Sequence, residues 1–527
     1  MGIYLNPGKD EFEKAVNTSP YVDKTGMLAF INSKINTEHQ YICVSRPRRF
    51  GKSMAANMLV AYYCCKYDSR DLFADFTIAA DASFEKHLNK YHVIYLNMQQ
   101  FLSRSSDMKD MLELLSKKVT RELRREFDSV EYFEDDLVSV LEEIYSQTGN
   151  KFVIVIDEWD CVFRTQNGSD DSYRSYLDFL RDMLKNQPFV VLAYMTGILP
   201  IKKYGEHSAL NMFDEYSMTN QLELAEYTGF TEDEVATLCQ QYQMPLQQMK
   251  QWYDGYNLKG LQIYNPRSVV MSLRGHDFDS YWTKTETYEA LKKYIQMDMY
   301  NLRELVVRLI AGESVPVNPD KFQNDMTNLQ SADDVLTLLI HLGYLTYDFY
   351  KHEVRIPNQE VQKEFINCIE DGGWEPVMSA ITSSEELLEA TLACDEEKVA
   401  EMIEQAHQDN ISILKYNDEN ALACVVSLAY YSARKDYNIY RELAGGKGYA
   451  DMVFVPRRPA DKPAIIVELK WNNTAEAAIV QIKSRQYLDG LQGYQGQVLL
   501  VGVSYNPDST AADYKKHRCR IEKIVLK

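Results

Sequence analysis

The sequence predicts a multidomain α/β protein. A helix-covered parallel sheet fills its first third, the middle is helical, and a separate compact α/β unit stands at the C-terminus. Three observations predict this. The chain has 527 residues, more than one hydrophobic core usually serves at about 150 residues per domain. Its first third holds four short apolar runs, none alternating with polar residues, separated by long amphipathic stretches. From about residue 411, closely spaced β runs return after a long helical region.

The first run is Tyr41-Ile-Cys-Val44, followed by His92 to Leu96, Phe152 to Ile156 and Phe189 to Ala193. Continuous apolar runs of this length indicate strands buried on both faces, as in a parallel sheet. The spacers are long enough for crossover helices. In the middle, Thr231-Glu-Asp-Glu234 has the Thr and Glu spacing of a helix-capping box. A helical stretch from Ala332 to Leu342 precedes two short β runs, Gly343 to Tyr347 and Glu353 to Pro357. Helix plus hairpin is the local pattern of a winged-helix module. In the C-terminal unit, Ala421 to Ser432 reads as an apolar helix. Tyr449 to Val455, Ala464 to Trp471 and Gln497 to Val503 read as strands, with a helix over Thr474 to Leu488 between the last two.

Hydrophobic residues make up 45% and charged residues 25% of the chain, which excludes a disordered or collagen-like protein. The formal charge is −20, so nucleic acid could be met only through a local basic surface. Residues 441–527 carry 14 Lys+Arg against 9 Asp+Glu, which offers such a surface. The nine Cys are scattered, without a C-x-x-C pair. That argues against a disulfide framework or a structural zinc site and fits a reduced, cytoplasmic setting. The first residues lack the apolar core of a signal peptide, and the longest apolar runs are too short to span a bilayer.

The segment Val44-Ser-Arg-Pro-Arg-Arg-Phe-Gly-Lys-Ser53 follows the first strand and opens a helix. Its Gly51-Lys52-Ser53 ending matches the Walker A phosphate loop. Glycine lets backbone N–H groups approach phosphate, and the helix N-terminus favours an anion. Lys52 would reach the terminal phosphates and Ser53 would hold Mg²⁺. Arg46 stands where the pattern has its first Gly. Arg46, Arg48 and Arg49, with Pro47 and Phe50 between and after them, form a basic loop suited to phosphate or partner contact. The third run continues as Asp157-Glu158, a Walker B ending. Asp157 would hold Mg²⁺ and Glu158 would polarise the attacking water. The run ending Met195-Thr196-Gly197 offers Thr196 as a γ-phosphate sensor.

The C-terminal unit carries a second constellation. Asp451 starts one strand of an expected hairpin, and Glu468 and Lys470 share one face of the other. Two carboxylates and a Lys suit metal-dependent phosphodiester hydrolysis. Asp451 and Glu468 would bind Mg²⁺ or Mn²⁺, and Lys470 would orient water and stabilise phosphate charge. Gln481, Lys483 and Tyr487, on the next helix, would line the site. A cross-strand salt bridge between Lys470 and an acid is the alternative reading of the same spacing.

These motifs, with Tyr21-Val-Asp-Lys-Thr25, Gly229-Phe-Thr-Glu232, Trp252-Tyr-Asp-Gly-Tyr256, Tyr264-Asn-Pro266, Tyr281-Trp282, Ile356-Pro-Asn358, Glu442 and Gly448-Tyr449, run through nearly the whole chain. In that order they resemble bacterial AAA-ATPase-like proteins carrying a C-terminal PD-(D/E)xK nuclease-superfamily domain. The resemblance implies an ASCE-type P-loop domain over 1–225, a helical lid and winged-helix-like region over 226–380, and a restriction-endonuclease-like domain over 381–527. It implies Asp451, Glu468 and Lys470 as a nuclease core, Gln481 as its supporting residue and Glu419 as a further acid. The expected function is ATP binding and hydrolysis coupled to a metal-dependent nuclease. ATP, Mg²⁺ and nucleic acid are the expected ligands, no membrane is involved, and self-association would fit an ATPase core of this kind. One alternative is a nucleotide-gated scaffold whose nuclease-like domain does not cut. A small-molecule kinase is a further one, weakened by the lack of a lid motif.

Overall fold

The computed structural model describes residues 2–164, 169–201, 210–220, 223–282, 287–296, 301–323, 329–410, 419–445, 447–457, 462–491, 494–507 and 516–526. Two compact units emerge. One comprises Met1–Thr287 with Pro316–Gln362, the other Tyr288–Val315 with Lys363–Lys527. The middle of the chain is thus shared between them.

The first unit is built on five parallel strands, β1 (Tyr41–Ser45), β2 (His92–Asn97), β3 (Phe152–Asp157), β4 (Val190–Gly197) and β5 (Asp214–Tyr216). Their spatial order is β2-β3-β4-β1-β5. The four apolar runs are β1 to β4, and β1, β3 and β4 are buried along their whole length. β5 was not legible, because Asp214-Glu-Tyr216 carries no apolar run. Strand β4 stands between β1 and β3, the ASCE arrangement. Ser45 pairs with Gly197, Thr196 with Asp157 and Asp157 with Asn97. The strand ends that carry the motif residues therefore form one row at the carboxyl edge of the sheet, where open α/β sheets place their ligands.

The middle segments of this unit pack onto the loop after β1. The capping box is present: Glu234 N donates to Thr231 Oγ1 at 3.4 Å and Thr231 N donates to Glu234 Oε2 at 2.8 Å, opening the helix Glu232–Tyr242. The helix Ala332–Leu342 leads through Gly343 into the antiparallel pair Thr346–Asp348 and Glu353–Arg355, as expected. Gly343 has φ +89°, and a Cβ there would lie 2.8 Å from the Pro47 side chain. Trp282 Nε1 donates to the Arg48 carbonyl at 3.2 Å. Phe50 meets Tyr256 edge-to-face, and Gly229 N donates to the Phe50 carbonyl.

The second unit is built on β6 (Tyr437–Gly445), β7 (Gly448–Pro456), β8 (Ala464–Trp471), β9 (Gly496–Tyr505) and β10 (His517–Leu526), in that spatial order. All pairs are antiparallel except β8 with β9. Their parallel connection is made by the helix Ala475–Ser484, close to the expected position. The helix Glu419–Ala429 precedes the sheet; the Glu419 side chain lies outside the described residues. Residues 288–315 join this unit through Glu313, which pairs with Arg308 at 2.8 Å and Arg441 at 2.5 Å. Among the described residues no helix is long and apolar enough to cross a membrane.

Candidate functional site

The loop between Ser45 and the helix Lys52–Tyr63 forms the first site. Its two left-handed residues are Arg49 (φ +69°) and Gly51 (φ +89°). A Cβ at Gly51 would meet nothing within 4 Å. Glycine there answers the backbone conformation rather than crowding. Arg46, in the first Walker position, needs no such conformation. It corrects the expectation of phosphate or partner contact at this residue. The side chain is fully buried, and Nη1 donates to the Ser45 carbonyl at 2.9 Å and the Tyr216 carbonyl at 2.8 Å. Burial lowers its pKa to about 10. Arg46 thus ties β1 to β5 under the loop.

Lys52 Nζ donates to the Pro47 carbonyl at 2.9 Å, bending over the loop. Burial lowers its pKa, against the pull of Glu158, Asp160 and Asp157. The Ser53 hydroxyl hydrogen-bonds Asp157, whose pKa is pushed up by burial. Glu158 has φ +55° and is ion-paired to Arg164. Thr196 is fully buried and its hydroxyl donates to the Val44 carbonyl at 2.9 Å. It holds β4 to β1, so a sensor role would require that bond to break.

A cavity of about 1560 Å³ opens over these residues, with Arg48, Arg49, Phe50, Gly51, Lys52 and Ser53 along one wall. Glu158, Arg164, Asn97 and Arg267 also line it. The last three were missed. Asn97 carried a signal, a polar residue ending an apolar run. Arg267 sits at the start of the helix Pro266–Gly275, and its charge depresses the Arg49 pKa after burial. The sequence gives no sign that it faces the loop. The Tyr95 hydroxyl also reaches Asp157, at 3.4 Å.

The second site lies on β7 and β8. Met452 pairs with Val467, so the next step of the antiparallel register sets Asp451 opposite Glu468. Leu469 N donates to Asp451 Oδ2 at 2.6 Å. Glu468 is 1% exposed. Its Oε1 accepts from Lys470 Nζ at 2.9 Å and from Gln481 Nε2, itself 3.1 Å from the Tyr487 hydroxyl. Its Oε2 is buried without a hydrogen-bond partner. Burial, then the Asp451 charge, raises the Glu468 pKa to about 7. Asp451, Glu468, Lys470 and Gln481 thus converge as expected. Lys483 turns away to an exposed pair with Glu522.

A buried carboxylate oxygen without a donor is costly unless a cation or proton meets it. Two carboxylates with room for water suit Mg²⁺ or Mn²⁺, which keep part of their hydration. The pair therefore fits a divalent ion. Among the described residues no cluster of three or more His, Cys, Asp or Glu side chains forms a closed metal cage.

The family described as "Predicted AAA-ATPase" matches residues 8–205, and a PD-(D/E)XK nuclease superfamily model matches residues 417–514. The chain carries an ATPase-type domain followed by a PD-(D/E)XK-like domain. An "Uncharacterized protein in vnfD 5'region" of Azotobacter chroococcum mcd 1 is 24% identical over 285 residues, 51% of each chain. The chain thus spans about half the length of the curated relative it matches. Among solved structures, the Walker-type ATPase PABY2304 of Pyrococcus abyssi aligns with TM-score 0.34 and 12% identity, covering 65% of this chain and 94% of that one. The Aeropyrum pernix ORC2 protein aligns with TM-score 0.33 and 11% identity, covering 68% and 98%.

Proposed function

We propose that this chain binds and hydrolyses ATP at the loop after β1, and that the β7–β8 site cuts nucleic-acid phosphodiesters with a divalent metal. Nucleotide occupancy of the first unit would regulate the second.

The buried, partnerless Glu468 Oε2 beside Asp451 carries the nuclease half. Lys470 and Gln481 occupy only the other oxygen, so the carboxylate is oriented with one oxygen left for an ion. Asp451 and Glu468 would hold Mg²⁺ or Mn²⁺. When bound, the metal lowers the pKa of a coordinated water and screens phosphate charge. Lys470 holds Glu468 in place and offers a positive charge to the phosphate. Gln481, steadied by Tyr487, fixes the Glu468 rotamer. In the first unit, Ser53 and Asp157 already touch and would share Mg²⁺, while Lys52 and Arg48 would receive phosphate oxygens.

A non-cutting scaffold would also accommodate the Lys470–Glu468 ion pair, but it has no use for the partnerless oxygen. The deciding experiment is a cleavage assay on single- and double-stranded DNA and RNA, in Mg²⁺ and Mn²⁺, with and without ATP. Cutting by the wild type that disappears in Asp451→Ala and Lys470→Ala supports the reading. No cutting under any condition leaves the scaffold. ATP binding by calorimetry, lost in Lys52→Ala, tests the nucleotide half.

A further inference from the structure

Arg164 closes the 3-10 turn Cys161–Arg164, just after the Walker B acids. The backbone of this turn is fixed. Asp160 is fully buried, and its Oδ2 accepts from Ile198 N at 3.1 Å and Leu199 N at 2.8 Å. Cys161, Val162 and Phe163 are buried, and the Tyr176 hydroxyl donates to the Trp159 carbonyl at 2.7 Å. The guanidinium is the part that can be re-aimed.

That guanidinium lines the same cavity as Lys52 and Glu158. It pairs with Glu158, and its Nε lies 3.5 Å from Asp160 Oδ2. Asp160 is locked by two amides and serves as a pivot. Glu158 is held by the single Arg164 pair and lies on the cavity wall. A carboxylate engaged by a guanidinium has its acceptor oxygens occupied and is poorly placed to take a proton from water. A terminal phosphate carries more charge than a carboxylate and matches the guanidinium fork equally well.

We propose that Arg164 is a γ-phosphate-sensing group within this chain: a terminal phosphate arriving beside Lys52 takes the guanidinium from Glu158, and the released carboxylate then orients the attacking water. A nucleoside diphosphate lacks the competing group and leaves the Glu158–Arg164 pair closed. Hydrolysis is thereby confined to the triphosphate-loaded state. The proposal rests on the nucleotide-site reading above.

The test is calorimetric titration of the full chain with the non-hydrolysable imido analogue of ATP and, separately, with ADP, both in Mg²⁺. Arg164→Ala should lose about tenfold or more in analogue affinity, the scale of a charge-assisted hydrogen bond, with ADP affinity unchanged. Arg164→Lys should recover part of that loss, because it keeps the charge without the fork. Glu158→Gln should bind the analogue several-fold more tightly, since a neutral amide holds the guanidinium less firmly. Equal loss for both nucleotides in Arg164→Ala marks a structural role and overturns the proposal, as does an unchanged analogue affinity. If Arg164→Ala does not fold, Glu158→Gln decides, and no gain there overturns it. Wild-type protein that binds neither nucleotide removes the underlying site reading and this one with it. Wild-type binding of both nucleotides with no effect of either variant removes the sensing role alone.

Discussion

Lys470 Nζ lies 2.9 Å from Glu468 Oε1, while Glu468 Oε2 is buried without a partner. One carboxylate thus has one oxygen committed and one in reserve. Mg²⁺ should raise the unfolding midpoint of the wild type, by roughly 2.7 kcal/mol of stability at a hundredfold excess over its dissociation constant. Glu468→Gln and Asp451→Ala should lose most of that increment. Thermal scans with and without metal check this independently of any cleavage activity. An equal midpoint shift in all three proteins would remove the metal from this pair.

Arg46 and Arg48 are two residues apart and should respond oppositely. Arg46→Ala strips the Tyr216 and Ser45 carbonyls of a donor and leaves a cavity under the loop. A loss of about 3–5 kcal/mol in denaturant unfolding is expected. Arg48 lines the open cavity, so Arg48→Ala should leave stability nearly unchanged and weaken ATP binding. Calorimetry and urea melts on the same two proteins separate the effects.

The second unit should be acid-labile in two stages. Burial, with His517 and Lys516 nearby, lowers the His407 pKa from 6.5 to about 4. The unfolded chain therefore takes up this proton first, and stability falls as pH drops from 6.5 toward 4. Glu404 faces His517, which lies 2.7 Å from Glu404 Oε2, and accepts from the Lys516 and His517 amides. Its pKa is lowered from 4.5 to about 2, with the His517 and Gln408 hydrogen bonds outweighing burial. Its contribution is present above pH 4.5 and is lost as pH falls toward 2. Glu404→Gln should flatten the lower stage of a stability–pH curve and His407→Gln the upper stage.

Gly343 should tolerate no side chain. Its φ of +89° and its approach to Pro47 mean that Gly343→Val adds both strain and overlap. The overlap falls on the phosphate loop itself. We expect a loss of about 2 kcal/mol or more in stability together with weaker nucleotide binding. A variant that loses stability but binds nucleotide normally would show that the loop does not depend on this contact.

Much of this architecture was legible because burial leaves a mark on composition. Phe152 to Ile156 is apolar throughout because both faces of β3 are covered, and Thr231 with Glu234 caps a helix through bonds local to the chain. What escaped was either polar or remote. β10 alternates buried and exposed residues through His517-Arg-Cys-Arg-Ile-Glu at a sheet edge, so no apolar run announces it. Arg46 and Arg48 look alike in sequence, yet one points under the loop and the other into the cavity. That choice is made by the Tyr216 carbonyl, 170 residues away. Glu468 and Lys470 were expected to share a face and do, because a strand's two-residue period is local. The partnerless oxygen required the third dimension, since it depends on where Gln481 lands.

The participation of residues 288–315 in the second unit bears on how such a protein could be rearranged during evolution. A recombination event that moved only the tail after residue 380 would leave Arg441 without Glu313 and carry off an incomplete module. Exchange of the nuclease-like half between genes would have to bring two separated stretches of coding sequence together. Fusion partners are more readily accommodated at the ends of the chain than at the seam.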